Sequence, residues 1–176
     1  MSDLLAELHE AVRIVPDFPK PGIMFKDITP VLADARLFAA AVACMTAPWR
    51  GVGITHIVAI ESRGFLFGAP MATALGAGLV PVRKPGKLPF TRIREDYALE
   101  YGTDALEMHV DALGGGAMVL VVDDVLATGG TAGAACSLVE RTGAHVAGVG
   151  VFIDLAFLGG RARLAPRRVE GVLRYE

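Results

Sequence analysis

Cysteine is scarce in this sequence, with only Cys44 and Cys136 among 176 residues. Each lies in a helical pattern of small and apolar residues and has no partner at metal-ligand spacing. Buried free thiols in a reducing compartment are expected, not a disulfide framework. The histidines His9, His56, His109 and His145 are scattered and form no HxxxH pair, which argues against a zinc site. A basic excess is missing too. Seventeen Lys and Arg against nineteen Asp and Glu give a net charge of −2 and a pI near 6.1, so no overall field draws nucleic acid. No window reaches the length of a membrane span. Met1-Ser2-Asp3 opens an amphipathic segment without the basic start or apolar core of a secretory signal. A cytoplasmic protein with neither membrane nor nucleic-acid partner is expected.

What is present is an apolar fraction of 53%, rich in alanine, glycine and valine, as α/β proteins are. The length suits one domain, residues 1–176, around one core. The organising stretch is VLVVDDVLATGGT, Val119 to Thr131. Val119 to Val122 reads as a strand buried on both faces, since a central parallel strand needs no polar alternation. Asp123 and Asp124 then stand at its carboxyl end, the edge where open α/β sheets bind ligands. The turn Ala127-Thr128-Gly129-Gly130-Thr131 exposes backbone N–H groups and feeds a helix N-terminus, an arrangement that cradles phosphate. Two acids beside a phosphate cradle demand a ligand that also wants carboxylates. Sugar hydroxyls or a bound magnesium ion meet that demand.

The remaining chain supplies further loops at the same sheet edge. A helix capped by Ser2 runs to about Ile14, and Pro16, Pro19, Pro21 and Gly22 then forbid regular structure in a stiff loop that presents Phe18 and Phe25. Asp34 caps a second helix ending near Pro48. Ile54 to Ile60 is a strand that runs into Glu61-Ser62-Arg63-Gly64, with a helix from about Phe65 to Leu75. Gly78 to Val82 is a short strand followed by the basic ribbon Arg83-Lys84-Pro85-Gly86-Lys87. The ribbon is no Walker A loop, because Leu88 follows Gly86-Lys87 and Pro81 replaces the first glycine. Tyr97 to Val110 reads as a hairpin turning at Gly102-Thr103-Asp104. His145 to Ile153 is another buried strand, and a short helix and an edge strand end the chain. Strand–helix units in succession imply a mostly parallel sheet flanked by helices.

VVDDVLATGGT resembles the phosphoribosyl pyrophosphate signature of the type I phosphoribosyltransferases, in the version found in the adenine phosphoribosyltransferase family. The resemblance covers nearly the whole chain. It implies the type I phosphoribosyltransferase fold, with a small hood from about residues 1–30 over the base and a mobile lid from about 83 to 97. It implies purine salvage, in which the 5-phosphoribosyl group passes from phosphoribosyl pyrophosphate to adenine and gives AMP and pyrophosphate. By the same resemblance Asp123 and Asp124 take the ribose hydroxyls, and Ala127, Thr128, Gly129, Gly130 and Thr131 take the 5-phosphate. Ser62, Arg63, Arg83, Lys84 and Lys87 face pyrophosphate, with Arg63 and Lys87 as catalytic cations and one ribbon cation reaching across a homodimer interface. The PDFPxPGxxFxD stretch forms the hood, where Phe25 stacks on adenine and the main chain at Met24 and Lys26 reads its edge. Leu155 adds an apolar contact. Glu100, in LEYG, is the implied acid/base at the purine. Magnesium would be held largely by the substrate's own oxygens and by water, with no protein metal site. A cis peptide is implied between Glu61 and Ser62.

Competing readings fare less well. An enzyme of the same fold acting on a 6-oxopurine or orotate is disfavoured by Phe25 in its PGxxF setting and by LEYG. A regulator that keeps the phosphoribosyl pyrophosphate site as a sensor would need a basic helix-turn-helix extension, and none is expected ahead of the first helix. A serine hydrolase built on Ser62 fails because Ile60 replaces the first glycine of GxSxG.

Overall fold

A computed structural model of the chain describes residues 2–98 and 102–176. It divides into two compact units, Met1–Cys44 and Met45–Glu176. In the first, helix α1 (Ser2–Ala11) leads into a two-stranded antiparallel hairpin of β1 (Arg13–Pro16) and β2 (Met24–Asp27), then α2 (Thr29–Ala33) and α3 (Ala35–Thr46), whose last residues belong to the second unit. The first helix therefore stops short of Ile14. Ile14 and Val15 pair instead with Lys26 and Phe25, and β-branched side chains suit that pleated setting. Met24 to Asp27 is likewise strand rather than loop, because Pro19 and Pro21 both fall in the turn, where no ladder bond is lost. Asp34 caps α3 as expected, its Oδ1 accepting the N–H groups of Arg36 and Leu37 at 2.9 Å each.

The second unit contains β3 (His56–Ile60), α4 (Gly64–Leu75), β4 (Gly78–Val82), β5 (Arg92–Ala98), β6 (Thr103–His109), β7 (Met118–Leu126), α5 (Gly130–Glu140), β8 (His145–Leu155), α6 (Gly160–Leu164) and β9 (Val169–Tyr175). Five of these strands form a parallel sheet in the order β4-β3-β7-β8-β9. The chain lays β4 on one side of β3 and β7 on the other, so the switch point, the ligand crevice of such sheets, lies between β3 and β7. Strands β5 and β6 form a separate antiparallel hairpin.

Both sheet faces are covered, which is why the central strands carry no polar alternation. Ile57 and Ala59 meet α4 at Gly68, and Phe67 of α4 stacks on Phe152 of β8 at 5.4 Å. The alternate residues Val58, Ile60, Val119, Val121, Val149 and Val151 share one buried cluster with Ala135, Leu138 and Val139 of α5 and with Leu106 and Met108 of β6.

Boundaries in this unit also differ from the sequence reading, and Thr103 and Asp104, expected in the hairpin turn, belong to β6. β7 continues to Leu126, so Asp123 and Asp124 lie within it; pairing of Val125 with Ile153 and Leu126 with Asp154 extends the ladder past the acids. β8 likewise runs on to Leu155. The hairpin begins at Arg92 rather than Tyr97, since Arg92 to Ala98 pair throughout with His109 to Thr103.

Trp49 is buried at 1% exposure, and room for its ring is made by two glycines of β8. A Cβ on Gly148 would lie 2.4 Å from the ring and 2.7 Å from the carbonyl oxygen of Arg168. Gly148→Ala is therefore expected to destabilise the protein by about 1–3 kcal/mol through overpacking. Denaturant unfolding measures this, and a midpoint equal to the wild type would contradict the packing described.

Candidate active site

The turn after β7 has the form of a cradle. Gly129 adopts φ +80°, which only glycine takes without strain, and α5 begins at once, with Gly133 N–H donating to the Gly129 carbonyl at 2.9 Å. The first N–H groups of a helix have no acceptor within it. Asp123 and Val125 to Ala132 enclose a cavity of about 70 Å³ there. The loop is held from behind by backbone. A Cβ on Gly160 would sit 2.3 Å from the carbonyl oxygen of Ala127, and one on Gly129 2.9 Å from that of Gly160. Arg161, next to Gly160, is anchored by its ion pair with the fully buried Asp154 at 2.5 Å and by a 2.6 Å bond to the carbonyl of Val169.

The paired acids are not equivalent. Asp124 is 5% exposed and ion-paired with Arg63 Nε, which reaches from the loop after β3. Asp123 Oδ1 accepts the N–H of Asp124 at 2.8 Å. Burial pushes the Asp123 carboxyl well above the ordinary aspartate range, the adjacent negative charge of Asp124 adds to the rise, and Arg63 opposes it. Gly64, at the start of α4, lets this loop sit against β7; a Cβ there would be 2.8 Å from the carbonyl of Val122 and 3.2 Å from Asp123 Cα. The Glu61–Ser62 peptide is cis.

The basic ribbon divides into two groups. Lys87 Nζ donates to Glu61 Oε1 at 2.6 Å, Arg83 Nε lies 3.3 Å from Glu61 Oε2, and the backbone N–H of Lys84 donates to the same oxygen at 2.9 Å. Burial acts to raise the Glu61 pKa, but the bonds from Lys87, the Lys84 backbone and Arg83 outweigh it and hold the carboxyl at about 2. The Lys84 side chain turns instead to Asp104 and to the Tyr97 hydroxyl. Glu107, which is buried, receives Gly86 N–H at 3.0 Å and Arg92 Nε at 2.9 Å, fastening the ribbon to the hairpin.

Of the residues singled out in the sequence, Arg63, Asp123 and Asp124 converge at the β3–β7 crevice, Ser62 lies exposed in the cis turn, and Ala127 to Thr131 form the cradle. Arg83 and Lys87 come together on Glu61. Leu155 ends β8, half-buried. Met24, Phe25 and Lys26 lie on β2 of the first unit. There Phe25 packs edge-to-face on Phe18 at 5.1 Å, and both rings line a cavity of about 260 Å³ with Val15 and Asp27. Glu100 lies outside the described residues.

Sequence reasoning missed Glu61, Tyr97 and Gly160. Only Glu61 left a signal, because three cations in five residues lack an acid of their own and Glu61 adjoins the second loop of the same edge. Among the described residues, no group of three or more His, Cys, Asp or Glu side chains is arranged to hold a metal ion, and no helix is long and apolar enough to cross a membrane.

Comparison with known proteins bears directly on this geometry. The model of the phosphoribosyl transferase domain matches residues 35–167. The adenine phosphoribosyltransferase of Myxococcus xanthus is 56% identical over 172 residues, 98% of this chain and 94% of that one. The crystal structure of adenine phosphoribosyltransferase from Rhodothermus marinus superposes with a TM-score of 0.95 at 51% identity, covering 99% of this chain and all of the other. The Saccharomyces cerevisiae enzyme, solved with adenine and D-2,5-dideoxy-2,5-imino-altritol 1,6-bisphosphate, gives 0.92 at 39% identity, covering 98% of this chain and 100% of that one.

Two carboxylates at this site should show opposite pH signatures. Asp123, raised in the folded state, destabilises it increasingly as pH rises above the ordinary value of 3.8. Asp123→Asn is therefore expected to melt at a higher temperature than wild type at pH 7, with the gain shrinking to nothing near pH 4. Glu61, depressed to about 2 from an ordinary 4.5, stabilises the fold above 4.5 and loses that contribution as pH falls toward 2. Glu61→Gln should melt lower than wild type at pH 7, and the gap should close on acidification. Thermal melts across pH 2.5–8 measure both, and shifts of the same sign at pH 7 would contradict the assignment.

Proposed function

The chain belongs to the phosphoribosyl transferase family, with adenine phosphoribosyltransferases similar to it along nearly its whole length, and on that premise we propose that it transfers the 5-phosphoribosyl group from phosphoribosyl pyrophosphate to adenine, giving AMP and pyrophosphate. It is a pentosyltransferase of purine salvage. The observation that carries the reading is the joining of a phosphate cradle to two adjacent acids at the β3–β7 switch point, within the segment matched by the family.

The chemistry follows from what each group can hold. Departure of pyrophosphate leaves an oxocarbenium-like sugar, so the protein's task is to position the reactants and stabilise the leaving charge. Ala127 to Thr131 hold the 5-phosphate through backbone N–H groups and the Thr128 hydroxyl. Asp123 and Asp124 accept hydrogen bonds from the ribose hydroxyls, which Arg63 and the crevice walls orient. Ser62, Arg63, Arg83, Lys84 and Lys87 receive the pyrophosphate, Arg63 and Lys87 carrying most of the charge stabilisation. To do so these cations exchange part of their bonding to Asp124 and Glu61 for bonding to the leaving group. The internal acids thus hold the cations ready without neutralising them permanently.

The base is assigned to Phe25 by stacking, to the main chain of Met24 and Lys26 by hydrogen bonding at its edge, and to Leu155 by apolar contact. Glu100 is assigned to proton movement as N9 of the purine becomes the nucleophile. The lid, about 83–97, excludes the water that would hydrolyse the donor. Magnesium fits a site of this donor set as a companion of the substrate, because paired carboxylates stand beside a polyphosphate site; bound there, it would supply charge to the leaving pyrophosphate. Asp123 and Asp124 are the residues that would meet it or its waters. A cytoplasmic homodimer completes the reading, with one ribbon cation serving the partner's site.

Incubation of the purified protein with phosphoribosyl pyrophosphate, magnesium and each of adenine, hypoxanthine, guanine, xanthine and orotate tests the function. AMP from adenine alone is expected; another nucleotide would overturn the base assignment, and no product with any base would leave the sensor reading. Phe25→Ala is expected to raise KM for adenine roughly three- to tenfold, in keeping with the loss of one aromatic stacking contact, while KM for the donor stays constant. An unchanged adenine KM would remove Phe25 from the base site.

A further inference from the structure

Tyr97, at the end of the lid range, takes part in neither the phosphate cradle nor the basic ribbon, yet it is 7% exposed and its hydroxyl stands between the two. Thr131 Oγ1, in the phosphate cradle, donates to it at 3.3 Å. Lys84 Nζ, from the basic ribbon, donates to it at 2.9 Å. The hydroxyl in turn donates to Asp104 Oδ2 at 3.1 Å, and Asp104 is ion-paired with the same Lys84. A phenol has one donor and two acceptor sites, and all three are filled here. Lys84 also lies over the Tyr97 ring, 5.5 Å from its centroid.

These contacts are a crosslink between elements that are distant in sequence. Thr131 is in the first turn of α5, Lys84 follows β4, and Tyr97 and Asp104 face each other across the β5–β6 hairpin, where they are register partners. Burial would lower the Lys84 pKa, but its bonds to Asp104 and Tyr97 raise it; burial would raise that of Asp104, but its bonds from Lys84, the Ala105 backbone and Tyr97 lower it. The cluster therefore stays charged and closed at neutral pH.

We propose that Tyr97 is a positioning residue that fixes the separation between the 5-phosphate cradle and the pyrophosphate-binding ribbon. The inference rests on the assignment of those two subsites above and deepens it. A ligand carrying both anionic groups gains from a preset separation, because its second group then binds without reordering the protein. A ligand carrying one group gains nothing from the crosslink. Tyr97→Phe removes the hydroxyl and keeps the buried ring, so it loosens the separation while preserving the packing.

Calorimetric titration of wild type and Tyr97→Phe with phosphoribosyl pyrophosphate, ribose 5-phosphate and pyrophosphate, all with magnesium, tests this. The expected result is a loss of about tenfold in affinity for phosphoribosyl pyrophosphate, with each fragment changing less than twofold. Unchanged affinity for the whole donor overturns the inference, as does an equal loss for all three ligands, which marks a merely structural hydroxyl. Wild-type protein that binds none of them overturns the subsite assignment together with the inference. A Thr128→Val control separates the cases: it should weaken ribose 5-phosphate and leave pyrophosphate unaffected, and a cradle insensitive to it is not the 5-phosphate site.

Discussion

The parallel ladder between β3 and β7 runs from His56 opposite Val119 to Ala59 opposite Val122 and stops there. Beyond that point β3 turns away through the cis peptide at Glu61–Ser62, while β7 continues for four residues beside β8. From Asp123 onward β7 therefore has a strand on one side only. The gap holds both acids, and Arg63 spans it to Asp124. Backbone close-packing keeps it narrow: Gly64 presses on Val122 and Asp123 at one wall, and Gly160 presses on Ala127 beneath the cradle. A side chain at either glycine would require the loops to separate. The functional groups are thus positioned chiefly by where strands part and by how closely backbones approach.

The same region concentrates charge in a way that a stability argument alone would not favour. Every cation assigned to an anionic ligand rests on an internal carboxylate: Arg63 on Asp124, Arg83 and Lys87 on Glu61, and Lys84 on Asp104. Carboxylates in those positions offset the mutual repulsion of the cations and fix their geometry. Asp123 is the exception, since burial and its neighbour both disfavour its charge. A group that is unfavourable in the folded protein and adjoins a cradle is readily understood as one maintained for ligand binding.

Sequence patterns carried different parts of this arrangement with different success. The run Val119 to Val122 and the turn Thr128 to Thr131 were legible because both signals are local: β-branched residues at a buried strand, small residues at a helix start. Asp34 as a cap and Gly78 to Val82 as a strand were legible for the same reason. Misplaced boundaries occurred wherever pairing with a distant strand extended an element, as at Leu126 beside Asp154 or Arg92 beside His109, or replaced helix with strand, as at Ile14 beside Lys26. The basic ribbon Arg83 to Lys87 was legible as a cluster of charge. Its division between Glu61 and Asp104 was not, because both partners lie about twenty or more residues from the cations they hold.

By itself, then, the sequence determined that this chain is an α/β protein with a glycine-rich turn into a helix beside two acids, and through its motifs it identified a phosphoribosyltransferase. Short-range chemistry encodes these features: strand propensity, the conformational freedom of Gly129, and the identity of the residues at the turn. The tertiary structure alone decided which acid pairs with Arg63, that Glu61 gathers the cations, that Tyr97 joins Thr131 to Lys84, and that Gly160 supports the cradle. Those relationships are distances between residues far apart in the chain, and they come into being only when the sheet order brings the loops to one edge.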